Sequence, residues 1–295
     1  MILLTFSCKT SSQDGEIENN ESGNTIDTIH KENKFNADTS DIAIYEKLIK
    51  YSNEIQLQSR SLPEIELEVA RRFVGTPYVG HTLEKDSVEN LVINLRELDC
   101  TTFMENVSAI SLCIKKNTIS FGDYCNMLVQ LRYRNGKIDG YPSRLHYTTD
   151  WLLNNQEKGL LKIVSEDFGT AEFDSKVDFM STHPASYKQL VNASFVEQIK
   201  HQEVRISSAN LKFIPKGKIN EFSTNIQDGD IIAISTTIPG LDFSHVAIAL
   251  WKNNQLYFFH ASSSEKAVVV SDKTLHDYLA GMKKSDGIVV GRLNQ

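Results

Sequence analysis

The sequence lacks several features that would assign it at once to a common class of protein. No stretch of its 295 residues approaches the roughly 20 apolar residues of a membrane-spanning helix. The net charge is −7, and no basic stripe or alternation of basic and aromatic residues is present, which argues against a nucleic-acid partner. The four cysteines contain no Cys-x-x-Cys pair, the usual spacing of structural zinc sites. These absences direct attention to single residues that could carry chemistry.

Composition divides the chain into three parts. Residues 9–41 are rich in Ser, Asn, Asp, Glu and Thr, with few apolar residues and no periodicity. Such a stretch cannot bury enough surface to fold, so it is predicted to be a disordered tether. Residues 42–295 continue without interruption and are predicted to form one domain.

Residues 1–8 are a short apolar run with a small residue before Cys8. This run resembles the end of a bacterial lipoprotein signal, although it lacks a basic segment and is shorter than the roughly 7–15 apolar residues of such signals. A start codon further upstream would explain both differences. The expectation is a lipidated Cys8 that anchors the protein to a membrane of the bacterial cell envelope, in the periplasm or at the outer membrane. The alternative is a chance hydrophobic start on a cytosolic protein.

Cys100 stands where an apolar run ends and a helical pattern begins. Asp99 is a residue type that helix starts favour, and Val107, Ile110 and Ile114 repeat as one buried helix face would. A thiol attacks as the thiolate, and a helix N-terminus lowers the pKa of a thiol. Cys100 is therefore a candidate nucleophile.

Packing is the alternative for any free cysteine, and for Cys100 alone the two interpretations are evenly balanced. Cys113 and Cys125 have neither a cap nor a polar setting, so they are predicted to be inert core residues.

Two downstream histidines favour catalysis. The β-prone runs 244–251 and 256–260 flank a polar turn and predict a hairpin. With a two-residue loop, Ala247 lies opposite His260, and His245 shares that face. Diagonal neighbours of this kind lie roughly 7–8 Å apart at the backbone, so one imidazole can orient the other. The alternative is a pair of structural histidines at strand ends.

The small side chains of Ala247 and Ala249 on the same face lead to a further expectation. They would leave room for the Cys100 helix to pack there.

A longer series of motifs accompanies these residues. In chain order it comprises residues 70–80, Asp99-Cys100-Thr101, Gly229-Asp230-Ile231, residues 244–248 and His260-Ala261. The series resembles that of NlpC-type papain-like cell-wall hydrolases. Segments 77–84 and 133–151 are similar, more closely, to the N-acetylmuramoyl-L-alanine amidase-like branch of that superfamily. The resemblance covers roughly residues 60–295.

The resemblance implies an α+β, papain-like fold, with N-terminal helices and a nucleophile helix packed on a C-terminal antiparallel sheet. It implies hydrolysis of the bond between the muramoyl lactyl group and L-alanine in peptidoglycan or muropeptide fragments. Cys100 would attack, His245 would transfer the proton, and His260 would orient His245. No metal or cofactor is required.

The substrate-binding candidates follow from the same resemblance and from the chemistry of peptidoglycan. The Tyr78 hydroxyl would assist the developing oxyanion, and Arg144 would grip stem-peptide carboxylates. Asp99 is expected chiefly to cap the helix. The full set is Tyr78, Glu84, Asp99, Arg144, His146 and Tyr147. For the polar cluster around Arg144, a salt-bridged structural loop is the alternative.

Three other functions remain open from the sequence. The same catalytic residues could serve a γ-D-glutamyl-diamino acid endopeptidase. His245 and His260 could be ligands of a metal amidase. The chain could also be a non-catalytic, wall-binding lipoprotein.

The predicted elements place helices before an antiparallel sheet. The helices are at 42–59, 63–75, from Cys100 and at 121–133, followed by a less regular region at 136–225. The remaining elements are strands at 230–235, 244–251, 256–260 and 267–270, a helix at 273–282 and a strand at 288–292.

Overall fold

The computed structural model describes Phe35 and residues 37–294. The predicted lipidation site Cys8 and residues 9–34 of the predicted tether lie outside the described residues. The first described helix begins at Thr39 rather than at residue 42, because the Asp38 carboxylate accepts a hydrogen bond from the Ser40 N–H group and caps it. Within the described residues, none of the helices has the length and apolar content to cross a membrane.

The described residues form helices and one mixed-length sheet. The helices are α1 (Thr39–Glu54), α2 (Leu62–Arg72), α3 (Cys100–Lys116), α4 (Phe121–Arg132), α5 (Thr148–Glu157), α6 (Ser165–Phe168), α7 (Phe179–Thr182), α8 (Ala193–Ser207), α9 (Ile219–Phe222) and α10 (Leu275–Gly281). The strands are β1 (Leu161–Ile163), β2 (Ala171–Phe173), β3 (Leu211–Pro215), β4 (Ile231–Ser235), β5 (Phe243–Lys252), β6 (Gln255–Ser262), β7 (Ala267–Val270) and β8 (Gly287–Leu293).

The sheet has the order β2-β3-β8-β4-β5-β6-β7, with β1 paired to β8, and each pairing is antiparallel. Helices α1 to α4 precede all the strands in the chain, so the α+β class predicted from the sequence is confirmed.

Helix α3 is the centre of the larger core and begins at Cys100, as predicted. The Asp99 side chain accepts from the Thr102 N–H group at 2.8 Å, while the Asp99 N–H group donates to the Thr102 hydroxyl at 2.9 Å. This reciprocal pair fixes the first turn of the helix. The helix then stays buried from Thr102 to Ile114 and ends at Lys116, followed by the cap residue Asn117, whose φ of 54° is left-handed. A helix buried on all sides holds its first residue rigidly.

The β5–β6 hairpin has the predicted register. Lys252 pairs with Gln255 and Ile248 with Phe259, across a loop of Asn253 and Asn254. Both asparagines have positive φ, 52° and 59°, as a two-residue turn of this twist requires.

The prediction that α3 packs on Ala247 and Ala249 was wrong. Helix α3 shares its core cluster with the opposite face of the hairpin, which carries Val246, Ile248 and Phe259. The two alanines lie in a second cluster with the α10 residues Leu275 and Leu279. The larger side chains bury more apolar area, which decides the face that the central helix covers.

The region predicted as irregular, 136–225, contains helices α5 to α9 and strands β1 to β3. Its longest helix, α8, was missed by the sequence prediction. Ile199, Glu203 and Ile206 are its buried residues, and their spacing of four and three is that of a helix face. Ile199 and Ile206 join Tyr147 and Met180 in a third, smaller core that forms one wall of the site.

Candidate active site

The thiol of Cys100 lies at the first residue of α3. Burial, and after it the neighbouring Asp99 carboxylate, raise its pKa to about 11, although the Val246 N–H group and the Thr101 hydroxyl favour the ionised form. The expectation of a lowered thiol pKa considered only the helix start. In the folded chain the loss of hydration outweighs that local effect, so the thiol is protonated near neutral pH.

His245 and His260 meet across the hairpin, as the sequence predicted. His245 Nε2 lies 2.8 Å from His260 Nδ1, and the two rings are nearly perpendicular at 84°. Burial lowers the pKa of His245 to about 3, with His260 as the second cause. Burial also lowers the pKa of His260 to about 4, against the opposing charge of Asp272. Both imidazoles are therefore neutral near pH 7, and the N–H group of one donates a hydrogen bond to the ring nitrogen of the other.

The hydrogen bond between the histidines determines which nitrogen can serve the thiol. When His245 Nε2 donates to His260 Nδ1, His245 carries its proton on Nε2 and its Nδ1 is a bare lone pair. That lone pair can accept a proton. Val246, the residue after His245, contacts the Cys100 thiol through its N–H group. One strand and one helix start thus bring His245 and the Cys100 thiol to the same cavity.

A cavity of about 350 Å³ opens at these residues. Cys100 and His245 line it, whereas His260 lies behind His245 and is 4% exposed. All six predicted substrate-binding residues line the same cavity: Tyr78, Glu84, Asp99, Arg144, His146 and Tyr147. The structure therefore brings together residues that lie up to 168 positions apart in the chain, from Tyr78 to Val246.

Tyr78 reaches the cavity from the loop before α3. Burial raises the pKa of its phenol, and the nearby Cys100 and Asp99 raise it further. Among the described residues the hydroxyl has no hydrogen-bond partner, so it can donate to a bound group. Asp99 is engaged as the helix cap, as expected.

Arg144 is held by protein carboxylates. Its guanidinium pairs with Glu84 and lies 3.3 Å from the Glu89 carboxylate, and it also donates to the Leu83 carbonyl at 3.2 Å. Arg144 is 4% exposed. These contacts fix the loop that carries Glu84 against the cavity, and they occupy the groups that a substrate carboxylate would need.

The other charged members of the polar cluster fit the structural alternative. Arg132 pairs with Glu105 at 2.7 Å, and both side chains are 2% exposed. Asp150 is buried and accepts from Arg134 and Arg205. Because Arg132 and Arg144 are both paired, neither cation that lines the described cavity is free.

His146 is a neutral member of the cavity wall. Its Nε2 lies 2.9 Å from the Tyr141 carbonyl oxygen, which can only accept, so Nε2 carries the proton. Burial and the charge of Arg144 hold the pKa of His146 well below its usual range. His146 therefore offers an acceptor at Nδ1.

Several cavity residues were missed by the sequence analysis. Met180 lines the cavity from α7 and Tyr187 from the segment between α7 and α8, and residues 241–243 line it where β5 begins. Tyr147 connects them, because its hydroxyl donates to Glu203 at 2.7 Å and accepts from the Met180 N–H group at 2.9 Å. No local pattern marks these residues, since they depend on how α8 packs.

Cys113 and Cys125 are buried in the core, as predicted. Burial raises the pKa of each thiol to about 12. Within the described part of the chain, no group of three or more His, Cys, Asp and Glu side chains is arranged to hold a metal ion.

The fold and the cavity define an α+β protein with a cysteine and a histidine pair at one site. A family model described as AmiA-like, N-acetylmuramoyl-L-alanine amidase-like, matches residues 68–288. The chain belongs to this amidase-like family. A search of curated proteins gives no match.

Solved structures are similar over most of the chain. An N-acetylmuramoyl-L-alanine amidase from Bacteroides uniformis ATCC 8492 is 41% identical with a TM-score of 0.76, over 79% of this chain and 99% of that chain. A candidate xylanase from Bacteroides fragilis is 42% identical with a TM-score of 0.73, over 76% and 99%. A protein from Legionella pneumophila shares the fold at 22% identity and a TM-score of 0.66, over 87% and 95%.

Proposed function

We propose that this protein is a cysteine-dependent N-acetylmuramoyl-L-alanine amidase with a papain-like catalytic arrangement of the NlpC type. The observation that carries the proposal is the 2.8 Å contact between His245 and His260 beside the Cys100 thiol. Family membership supports the amide substrate, and the amidase from Bacteroides uniformis supports the muramoyl–L-alanine bond.

The proposed reaction is acyl transfer in two steps. His245 Nδ1 takes the proton of the Cys100 thiol as the sulfur attacks the lactyl carbonyl of N-acetylmuramic acid. The protonated His245 then gives that proton to the leaving L-alanine amine, and a thioester remains. Water hydrolyses the thioester with His245 as base, which releases the lactyl acid and restores the thiol.

Three further groups would support this reaction. The Cys100 N–H group and the Tyr78 hydroxyl would donate to the oxyanion that develops at the attacked carbonyl. His260 would accept from His245 Nε2 and so stabilise the imidazolium and fix its orientation. Because thiol and imidazole are both neutral at rest, His245 acts as a general base during attack.

Mass spectrometry of muropeptide digests tests the proposal. A disaccharide-tetrapeptide should give a peptide-free disaccharide and a tetrapeptide that begins with L-alanine. A free tetrapeptide should stay intact, because it lacks the scissile bond. Release of a product that leaves L-Ala-D-Glu on the sugar would instead support the γ-D-glutamyl endopeptidase. Xylan, offered separately, should not be cleaved.

Matched cysteine variants test the nucleophile in the same assay. Cys100→Ser should abolish hydrolysis with an unchanged circular dichroism spectrum, because a serine hydroxyl ionises far less than a thiol. Cys113→Ser is the control and should keep most of the activity. Activity of the wild type should survive a chelator, whereas its loss would favour a metal amidase. Muropeptide binding without turnover by the wild type would favour the non-catalytic wall-binding function.

A further inference from the structure

The imidazole of His260 lies within a group of aromatic rings. The Phe258 ring lies edge-to-face with it at 4.9 Å between centroids, and the Tyr278 ring does so at 5.7 Å. Phe258 and Tyr278 also contact each other, at 5.0 Å and 74°. The three rings form one cluster around the imidazole that contacts His245.

Tyr278 reaches this cluster from a different part of the chain. It lies on α10, which Thr274 caps through the Asp277 N–H group at 3.2 Å. Leu275 and Leu279 anchor α10 in the second core. Burial raises the pKa of the Tyr278 phenol, and the Cys100 thiol raises it further, so the ring belongs to the surroundings of the thiol as well.

We infer that Tyr278 is a positioning residue of the site, whose ring shields His260 from water and holds that imidazole against His245. Tyr78 and Tyr278 then have different tasks, because Tyr78 lines the cavity and Tyr278 does not. The Tyr278 hydroxyl has no hydrogen-bond partner within the described residues. The ring, rather than the hydroxyl, therefore carries the role.

The tautomer that His245 needs requires a neutral His260, and exclusion of water from His260 favours that neutral state. His260 must present a bare Nδ1 lone pair to the Nε2 proton of His245. A protonated His260 would present an N–H group there instead and would break the contact. Among the described residues, the titratable groups that contact His260 or act on its charge are His245, Tyr278 and Asp272, of which Asp272 favours the protonated form. Exclusion of water by the Tyr278 ring opposes that effect of Asp272.

Three variants separate the ring from the hydroxyl. Tyr278→Ala should lower kcat/KM by about 10- to 100-fold, as small misplacements of catalytic groups do. It should also move the acid limb of the kcat/KM profile upward, because hydration returns the pKa of His260 towards about 6.5. Tyr278→Phe should stay within about threefold of the wild type, with an unmoved acid limb. The control is Tyr257→Ala, which removes a tyrosine on strand β6 instead of α10. It should leave the acid limb of the kcat/KM profile unchanged.

The activity measurements rest on the proposed function, so a second measurement avoids turnover. Long-range ¹H–¹⁵N spectra of histidine side chains report the tautomer and the titration of His260 in Cys100→Ala. Adding Tyr278→Ala to that variant should raise the midpoint of His260, and adding Tyr278→Phe should not. If muropeptide assays give no product but the titration midpoint of His260 rises in this way, the amidase proposal is contradicted and the inference about Tyr278 is supported.

Two results would overturn the inference. One is an unchanged acid limb and an unchanged His260 midpoint in Tyr278→Ala. The other is an equal loss of activity in Tyr278→Phe and Tyr278→Ala, since the hydroxyl would then be the acting group. If Tyr278→Ala fails to fold, Tyr278→Leu keeps the helix and uncovers part of the imidazole. An upward shift of the His260 midpoint in Tyr278→Leu supports the inference, and an unmoved midpoint overturns it.

Discussion

Replacing His245 or His260 by asparagine should make the folding stability less dependent on pH. Burial lowers the pKa of His245 to about 3, and burial likewise lowers that of His260 to about 4, from about 6.5 in an unfolded chain. At a pH between these values, each histidine is therefore protonated in the unfolded chain and neutral in the folded protein. The contribution of each neutral imidazole to the free energy of unfolding is fully present above about pH 6.5. It is lost as the pH falls towards the pKa that the imidazole has in the folded protein.

The size of this effect follows from proton linkage. Between about pH 7 and about pH 5 the unfolded imidazole gains most of a proton, while the folded His245 and His260 gain almost none. Each histidine then lowers the free energy of unfolding by about 2 kcal/mol, and the pair lowers it by about 4 kcal/mol. The effect exceeds the usual error of denaturant titrations, which makes it measurable.

Urea denaturation of four proteins near pH 7 and near pH 5 measures this difference. The proteins are the wild type, His245→Asn, His260→Asn and the control His201→Asn, whose imidazole is exposed on α8. Each site variant should lose about 2 kcal/mol less than the wild type between the two conditions. Burial raises the pKa of the Asp230 carboxylate, but this and the other carboxylates are common to all four proteins, so their contribution cancels in the comparison. Equal losses in all four proteins would mean that the imidazoles are already charged in the fold, and the neutral resting state would be refuted.

Two further predictions concern residues at the edge of the cavity. Asp99→Ala should lower the free energy of unfolding by about 1 kcal/mol through loss of the helix cap, whereas Asp99→Asn should keep most of the stability. Urea titration of both variants measures this difference. Equal stability of Asp99→Ala and the wild type would contradict the capping role. Arg144→Ala should cost about 3–5 kcal/mol because it leaves Glu84 and Glu89 without their cation, and Arg144→Lys should recover part of this. A raised KM for Arg144→Ala with unchanged stability would instead support the grip on a substrate carboxylate.

The sequence could predict the hairpin and the helix start because local rules determine both. The Asn253-Asn254 turn fixes the loop length, and alternation along the strands then places His245 beside His260. Asp99 caps α3 by accepting from the N–H group of Thr102, which is only three positions further along the chain. Neither feature depends on the rest of the fold.

The features that the sequence analysis missed depend on residues that are distant in the chain. Whether Ala247 faces α3 depends on α10, which covers that side of the sheet. Whether Arg144 is free for substrate depends on Glu84 and Glu89, which come from the loop before α3. The cavity wall formed by α8 likewise depends on the hydrogen bond that the Tyr147 hydroxyl donates to Glu203. An arginine or a small residue by itself gives no sign of these partners.

The protonated thiol assigns a different task to the start of α3 in the proposed mechanism. If Cys100 were a thiolate at rest, the field of the helix would serve the ground state. The Thr102 N–H group donates to the Asp99 carboxylate, but because burial keeps the thiol neutral, the N–H groups at the helix start do not stabilise a thiolate before substrate arrives. They can therefore act on the charge that appears only as the carbonyl is attacked, and such differential stabilisation lowers the barrier of the chemical step. The burial that suppresses the resting thiolate thus reserves the helix start for the transition state.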